Sequence, residues 1–390
     1  MIHIGVIGCG QRMRSLVREL SVYDKVRIDC VFDPQASQVD RLIKETGLTG
    51  LALRAGSWQQ VAEHRDLDWV LIGSPNAHHA RQAVSALRSG RHVFLEKPLA
   101  VTREECLELV NVWNLGTYRL ATGFVLRWSP LYRKMKDLLG HLDFGPVISF
   151  QACEHISYAH GSYMMRSWRR RRDQAGSFVL EKCVHDLDLI QWMTGTPVTA
   201  VAALAGRDLY TLKNRDLLSP REDPYWEEKG NLELSHPFSD EPGSVEDHVS
   251  SLITCASGLF GTFQASAGSA LPLRRLSLQC LTGWIEAELY SGTLRYRTCS
   301  MDAQQVLSWS FTDLHGGGDG PLAAGLYRSM VSRDDQRDET AAGIQATMAG
   351  IALGESIESG EWVDIAADLA AVGLLKAYRE RSNCPCRYTR

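Results

Sequence analysis

Three groups of residues have types and spacings that chemistry can use. The first is Glu96-Lys97-Pro98, which closes the apolar run His92–Leu95. A proline fixes its own φ and biases the preceding residue towards extended backbone, so Lys97 leaves the run in a set direction. At the carboxyl end of a strand, where open α/β sheets bind ligands, this cation is a candidate to hold an oxygen and stabilise its negative charge. The second is Glu181-Lys182-Cys183-Val184-His185, with Asp188 three residues on. On a helix Glu181 and His185 stand at i and i+4, on one face. A carboxylate beside an imidazole raises its pKa and holds its orientation, the arrangement a general base needs. Acids at a helix start are also stabilising without chemistry, and it is the company of Lys97 that favours the base reading.

The third group is Gly8-Cys9-Gly10-Gln11-Arg12, directly after the apolar run Ile2–Ile7. Glycines there let the backbone approach a pyrophosphate, whose charge then sits on a helix N-terminus. Met13 occupies the position of the usual third glycine, a departure. Asp33 ends the next apolar run, where an acid accepts the ribose 2′-hydroxyl of NAD and repels the 2′-phosphate of NADP. The pattern therefore predicts dinucleotide binding with NAD preferred, softened by Gln35 and Ser37.

The elements that must position these groups follow from periodicity. Strands are expected at Ile2–Ile7, Val26–Phe32, Trp69–Gly73, around Glu96-Lys97 and at Tyr118–Gly123. Helices are expected at 12–21, Ala36–Glu45, after Ser74-Pro75-Asn76, and at Arg103–Trp113. This alternation predicts a doubly wound parallel sheet over residues 1–122. From 123 to 390 a helix at Pro130–Leu139 gives way to short strands at Val147–Glu154, Val198–Ala205, Asp247–Thr254, Leu259–Ser266, Arg275–Cys280, Gly283–Leu289 and Thr293–Thr298. They predict an α+β domain with an open-faced, mostly antiparallel sheet. One helix, Val184–Met193, interrupts them, and helices return at Gln336–Glu358 and Ala366–Glu380. The polar, proline-rich segment Arg207–Gly243 reads as an excursion or lid.

Composition narrows the classes. The chain has 390 residues, 44% hydrophobic and 23% charged, with net charge −4. That balance points to neither nucleic acid nor membrane surfaces, and no apolar run is long enough for a membrane span. Ile2–Ile7 reads as a core strand rather than a leader. Ten scattered cysteines form no framework, which suits reduced thiols in a cytoplasmic protein. Cys384-Pro385-Cys386 reads as a frayed terminus. No Cys/His spacing matches a zinc pattern, so no metal is expected.

With these residues in view, the chain resembles the glucose–fructose oxidoreductase / inositol dehydrogenase / MocA (Gfo/Idh/MocA) family. The likeness rests on Gly8–Arg12, Asp33, Ser74-Pro75-Asn76-Ala77-His78-His79, Gly90–Ala100, the Glu181–Trp192 helix and Ala349–Ile365. It implies an NAD(P)-dependent oxidoreductase acting on a secondary hydroxyl or ketone of a sugar, glycoside or cyclitol. Gly8, Gly10, Gln11, Arg12, Asp33, Ser74, Pro75, Asn76, His79, Glu96 and Lys97 would bind the cofactor. Lys97 would contact substrate and nicotinamide ribose, and His185 would accept the proton. Many members carry aspartate where this chain has Glu181, one methylene longer; the reading taken is that Glu181 orients His185. A homodimer or homotetramer through the open sheet is also implied.

Two further motifs belong to the same reading. Trp168-Arg169 lies in the basic run Trp168–Arg172, and in related chains such a pair helps form the substrate pocket. His315-Gly316-Gly317-Gly318-Asp319 is a glycine turn with a candidate substrate histidine, His315. Substrate binding is thus assigned to Lys97, Trp168, Arg169, Glu181, His185 and His315, with His155, Tyr158 and His160 as possible neighbours. Similar His-Gly-Gly motifs occur in glycosidases that oxidise a sugar transiently with bound NAD, eliminate and re-reduce, and this is the alternative activity. A non-catalytic NAD- or sugar-sensing regulator is the third class, and the presence of both Lys97 and His185 argues against it.

Overall fold

The computed structural model describes residues 1–48, 53–219, 236–332 and 337–375. Strands β1 (Ile2–Ile7), β2 (Val26–Phe32), β3 (Leu53–Arg54), β4 (Trp69–Ile72), β5 (His92–Leu95) and β6 (Leu120–Thr122) form the first sheet. All its pairings are parallel, in the order β3-β2-β1-β4-β5-β6. Strand order reverses between β1 and β4, and the crevice beyond their carboxyl ends is where such sheets take ligands. Every residue of β4 is buried, as expected of a parallel strand covered on both faces.

The second sheet contains β7 (Val147–Ser157), β8 (Val198–Gly206), β9 (His248–Cys255), β10 (Phe260–Ser269), β11 (Leu273–Cys280), β12 (Gly283–Glu288), β13 (Thr293–Thr298), β14 (Gln305–Ser308) and β15 (Val363–Asp364). Its order is β14-β13-β12-β11-β7-β10-β9-β8-β15. β7 and β10 run parallel, and the other pairs are antiparallel. Buried and exposed residues alternate along β10, so one face is covered and the other is open. The fold class is thus the expected one, a parallel Rossmann sheet followed by a mixed, mostly antiparallel sheet.

Two helices tie the sheets together. The Arg337–Ser359 helix packs on β8 of one sheet and β6 of the other. The Asp319–Val331 helix adds Ala323, Leu326 and Met330 to the core built by Ile4, Val6, Val17 and Phe94 of the first sheet and its helix. This second helix was not anticipated, and Gly320, Pro321 and Gly325 are residues that weaken a helical pattern. Proline is tolerated in a first helical turn, and Gly325 is needed where a Cβ would stand 2.2 Å from the Trp128 ring.

Other departures are small. β3 and β15 are two-residue strands, too short to carry a period, and β14 was also missed. The expected Ala366–Glu380 helix ends at Ala371. Residues 220–235 of the proposed lid, and Cys384-Pro385-Cys386, lie outside the described residues. No helix among the described residues is long and apolar enough to cross a membrane.

Candidate active site

The glycine turn is built as a close approach of two chain segments. Gly8 has φ +84°, and a Cβ there would stand 2.6 Å from the Ser74 backbone nitrogen, so only glycine fits. Beyond Gly10, by contrast, a Cβ would meet nothing within 4 Å. Gly10 caps the Gln11–Leu20 helix with no side-chain bond and no acid in its first turn. An open cradle at an uncapped helix N-terminus fits the pyrophosphate of a dinucleotide. Met13 takes its place over another glycine, since a Cβ on Gly73 would lie 2.8 Å from Met13 Cε. Asp33 accepts the Cys9 N–H at 2.8 Å and the Gln35 N–H at 2.9 Å, which fixes its carboxylate at the rim of the cradle.

Arg12 is not left facing that cradle. Its Nε donates to Glu96 Oε1 at 2.8 Å, and its other arm bonds Asp319. The second sheet's glycine turn is thereby fastened to the cofactor helix. Asp319 also lies 3.0 Å from His315 Nδ1, and because a carboxylate only accepts, the ring donates there. Gly316 and Gly317 have φ +59° and +75°, so the turn that presents His315 requires glycine.

Lys97 follows the buried end of β5, and its peptide bond to Pro98 is cis. Its Nζ donates to the Glu181 backbone oxygen at 2.5 Å and lies 3.5 Å from Glu181 Oε2. Asn76 Nδ2 donates to the same Oε2 at 2.9 Å and to Ala175 O at 3.0 Å. Pro75 leads into this turn, and Ser74 Oγ donates to Gln82 Oε1 at 2.6 Å. His79 is buried below, with Nδ1 2.7 Å from Pro98 O and Nε2 2.8 Å from Ser74 O. It thus joins the Ser74 turn to the Lys97-Pro98 turn.

Glu181 lies in a widened π-turn, Val179–Cys183, that precedes the Val184–Thr194 helix. Its hydrogen bonds and ion pairs run to Asn76, Lys97 and Arg169. Among the described residues none of these reaches His185, and His185 Nδ1 is buried without a hydrogen-bond partner. The expectation that Glu181 orients His185 is corrected: the π-turn breaks the i,i+4 register that predicted it. Burial raises the Glu181 pKa, but Lys97, Arg169 and Asn76 outweigh it and hold it below the ordinary range. The His185 ring is positioned by packing instead, edge-on to Phe124 at 5.9 Å and 6.2 Å from the His315 ring. Burial, then Lys97, Arg274, His315 and Lys182, hold its pKa well below the ordinary histidine range. The expected carboxylate-raised pKa is therefore reversed, and the ring is neutral, the form able to accept a proton.

A buried charge network lies underneath and was not foreseen. Arg274 bonds Asp186 through Nε at 2.9 Å and Nη2 at 2.7 Å, and its Nε lies 2.9 Å from Glu154 Oε2. Glu154 also receives Tyr290 Oη at 2.8 Å, with Lys182 Nζ 3.3 Å away. Asp188 is held bidentately by Arg127, both bonds at 2.6 Å. The alternation of β11 was the available signal, since Arg274 is in phase with the buried Leu276 and Leu278.

Trp168 and Arg169 lie in a 3-10 turn, Ser167–Arg170. The Arg169 guanidinium carbon stands 4.3 Å from the centroids of both the Tyr163 and Trp168 rings. Cations on one side, a neutral imidazole, and an open phosphate cradle make a site suited to hydride and proton transfer. Residues 2–121 match the family model described as oxidoreductase family, NAD-binding Rossmann fold, and residues 132–286 match the GFO/IDH/MocA C-terminal domain. The chain belongs to the GFO/IDH/MocA oxidoreductase family.

Among GFO/IDH/MocA relatives, the inositol 2-dehydrogenase of Ralstonia nicotianae is 28% identical over 228 residues, 57% of this chain and 62% of that protein. The 2,7-anhydro-N-acetylneuraminate hydratase of Escherichia coli is 24% identical over 207 residues, 53% of each chain. The matches thus span between half and two thirds of these curated relatives. Levoglucosan dehydrogenase in complex with NADH and L-sorbose superposes with TM-score 0.76 at 18% identity, covering 94% of this chain and 99% of that one. At that identity the likeness is one of fold.

Proposed function

We propose that this chain is an NAD-dependent oxidoreductase that interconverts a secondary alcohol and a ketone on a sugar, glycoside or cyclitol. The observation that carries the reading is that Lys97, from the end of β5, is held on Glu181 four residues before His185, whose ring its charge helps keep neutral. Gly8, Gly10 and Asp33 would hold the dinucleotide, with Asp33 favouring NAD over NADP. Bound NAD supplies the hydride acceptor. Lys97 holds the substrate oxygen and stabilises the charge that develops on it. His185 takes the hydroxyl proton, for which its neutral state prepares it. Glu181 positions Lys97 through two contacts. On this reading residues 1–122 bind the cofactor and residues 123–390 bind the substrate, with the Asp319–Val331 helix returning to the first sheet.

A second reading is transient oxidation followed by elimination. The His315–Asp319 pair favours it, because elimination needs a proton-transfer group beyond the alcohol's base. The deciding experiment follows NADH absorbance with purified protein, NAD⁺ or NADP⁺, and a panel of sugars, glycosides and inositols. Net NADH formation with NAD⁺ supports the dehydrogenase. Glycoside cleavage with no net NADH moves the second reading ahead, and activity with NADP⁺ alone sinks the Asp33 argument.

A further inference from the structure

The basic run Arg169–Arg172 is not uniform. Arg170 lies 2.9 Å from Glu241, Arg171 2.8 Å from Asp173, and Arg172 2.7 Å from Glu246. Each has an acid at hydrogen-bond distance. Among the described residues Arg169 has only Glu181, 3.4 Å from its Nε, and that buried Nε makes no hydrogen bond. Asn76 and Lys97 engage the other oxygen of Glu181, Oε2, so Arg169 meets Oε1 of a carboxylate whose charge it shares with Lys97. Stacking between Tyr163 and Trp168 fixes the guanidinium plane, and its side chain keeps 22% of its surface exposed.

The wider charge pattern points the same way. On this side of the cleft, among the described residues, Lys97, Arg169, Lys182 and Arg274 share the carboxylates of Glu181, Glu154 and Asp186. Glu96 and Asp319 are both taken by Arg12 on the cofactor side. A half-buried cation that shares one carboxylate with a second cation is poorly compensated. A neutral polyol needs acceptors as much as donors, yet the carboxylates here already have cationic partners. Counted with Arg12, five cations face five carboxylates among the described residues, so the unmet demand is local to Arg169, whose carboxylate is shared with Lys97 and whose Nε makes no hydrogen bond.

We propose that the substrate is an anionic sugar, such as a uronic acid, whose carboxylate is received by Arg169 on the Tyr163–Trp168 shelf. This deepens the oxidoreductase reading and rests on it. A planar guanidinium matches a carboxylate with two parallel N–H···O bonds, which a hydroxyl cannot reproduce.

The test uses the full chain with NAD⁺ and matched pairs, glucose with glucuronate and galactose with galacturonate, alongside myo-inositol. NADH formation is expected to favour the acid of a pair in kcat/KM by about 10- to 100-fold, the range of a charged hydrogen bond. Arg169→Met should collapse that ratio, chiefly through KM for the acid, and Arg169→Lys should retain part of it. A thermal melt checks that both variants fold. Equal or better turnover of the neutral sugar, or an unchanged ratio in Arg169→Met, overturns the proposal. If nothing in the panel is oxidised, calorimetric titration of the NADH-loaded protein with glucuronate and galacturonate decides. Saturable binding lost in Arg169→Met keeps the anion site and counts against the oxidoreductase reading. No binding of either acid overturns the anion site.

Discussion

Asn76 Nδ2 donates to Glu181 Oε2 at 2.9 Å, joining a loop of the first sheet to the π-turn of the second. Both groups are buried, and the same carboxylate faces Lys97. Glu181 therefore acts on the lysine. Glu181→Gln should lower kcat/KM about 10- to 100-fold, the range of a charge-assisted hydrogen bond. Glu181→Asp should recover part of the loss. Steady-state kinetics on an accepted substrate check this, and an unaffected Glu181→Gln enzyme would remove the positioning role.

The depressed pKa of His185 gives a pH signature. Since the ring stays neutral below the ordinary histidine value of about 6.5, kcat/KM should hold as pH falls through that value and decline only further down. Lys182 is one of the cations that hold it low. Lys182→Met should move the acid limb upward. A limb already near the ordinary value, unmoved in the variant, would contradict this.

Stability should follow the same groups. His160, His185 and His315 are each held below the ordinary histidine pKa, burial being the largest cause. Once pH falls below about 6.5 the unfolded chain binds protons that the folded chain refuses, so stability is present above that value and lost towards the depressed folded values. Each such group costs up to about 1.4 kcal/mol per pH unit in that window. Urea midpoints measured from neutral to mildly acid pH should fall, and less steeply in His185→Gln.

Asp33 braces the Cys9 and Gln35 amides, and on the proposed reading it also meets the ribose of NAD. Asp33→Asn should raise KM for NAD⁺ and shift the NADP⁺-to-NAD⁺ ratio of kcat/KM upward by about 10- to 100-fold, on the scale of one charged hydrogen bond. Initial rates with both cofactors measure it. An unchanged ratio would detach Asp33 from cofactor choice.

Arg274 is 1% exposed and stands between Glu154 and Asp186. Arg274→Met leaves both carboxylates buried beside each other, and breaking such a pair costs about 3–5 kcal/mol. Denaturant unfolding should show that loss directly. A variant of near wild-type stability would mean that the carboxylates take up protons at little cost.

Much of the fold could be read from the sequence, because parallel strands and their helices each carry a period and a stop. Gly8, Asp33, Lys97 and His185 were readable for the same reason, each standing at the end of a strand or in the first turn of a helix. Glu181 was named but given the wrong neighbour, because a π-turn adds backbone that no periodicity reveals. Arg274 and Glu154 were missed as a pair, although they are register partners across β11 and β7. Register between strands distant in sequence depends on tertiary pairing. The Arg12–Asp319 bond spans 307 positions and has no local signal at all.

The Asp319–Val331 helix carries one last consequence. Its Ala323, Leu326 and Met330 complete the apolar layer over β1, and Tyr327 stacks on Tyr23 at 3.9 Å. The first sheet therefore lacks part of its own interior until residues 319–331 have been made. During synthesis that sheet emerges with a bare hydrophobic flank, and its folding closes only when this later helix reaches it.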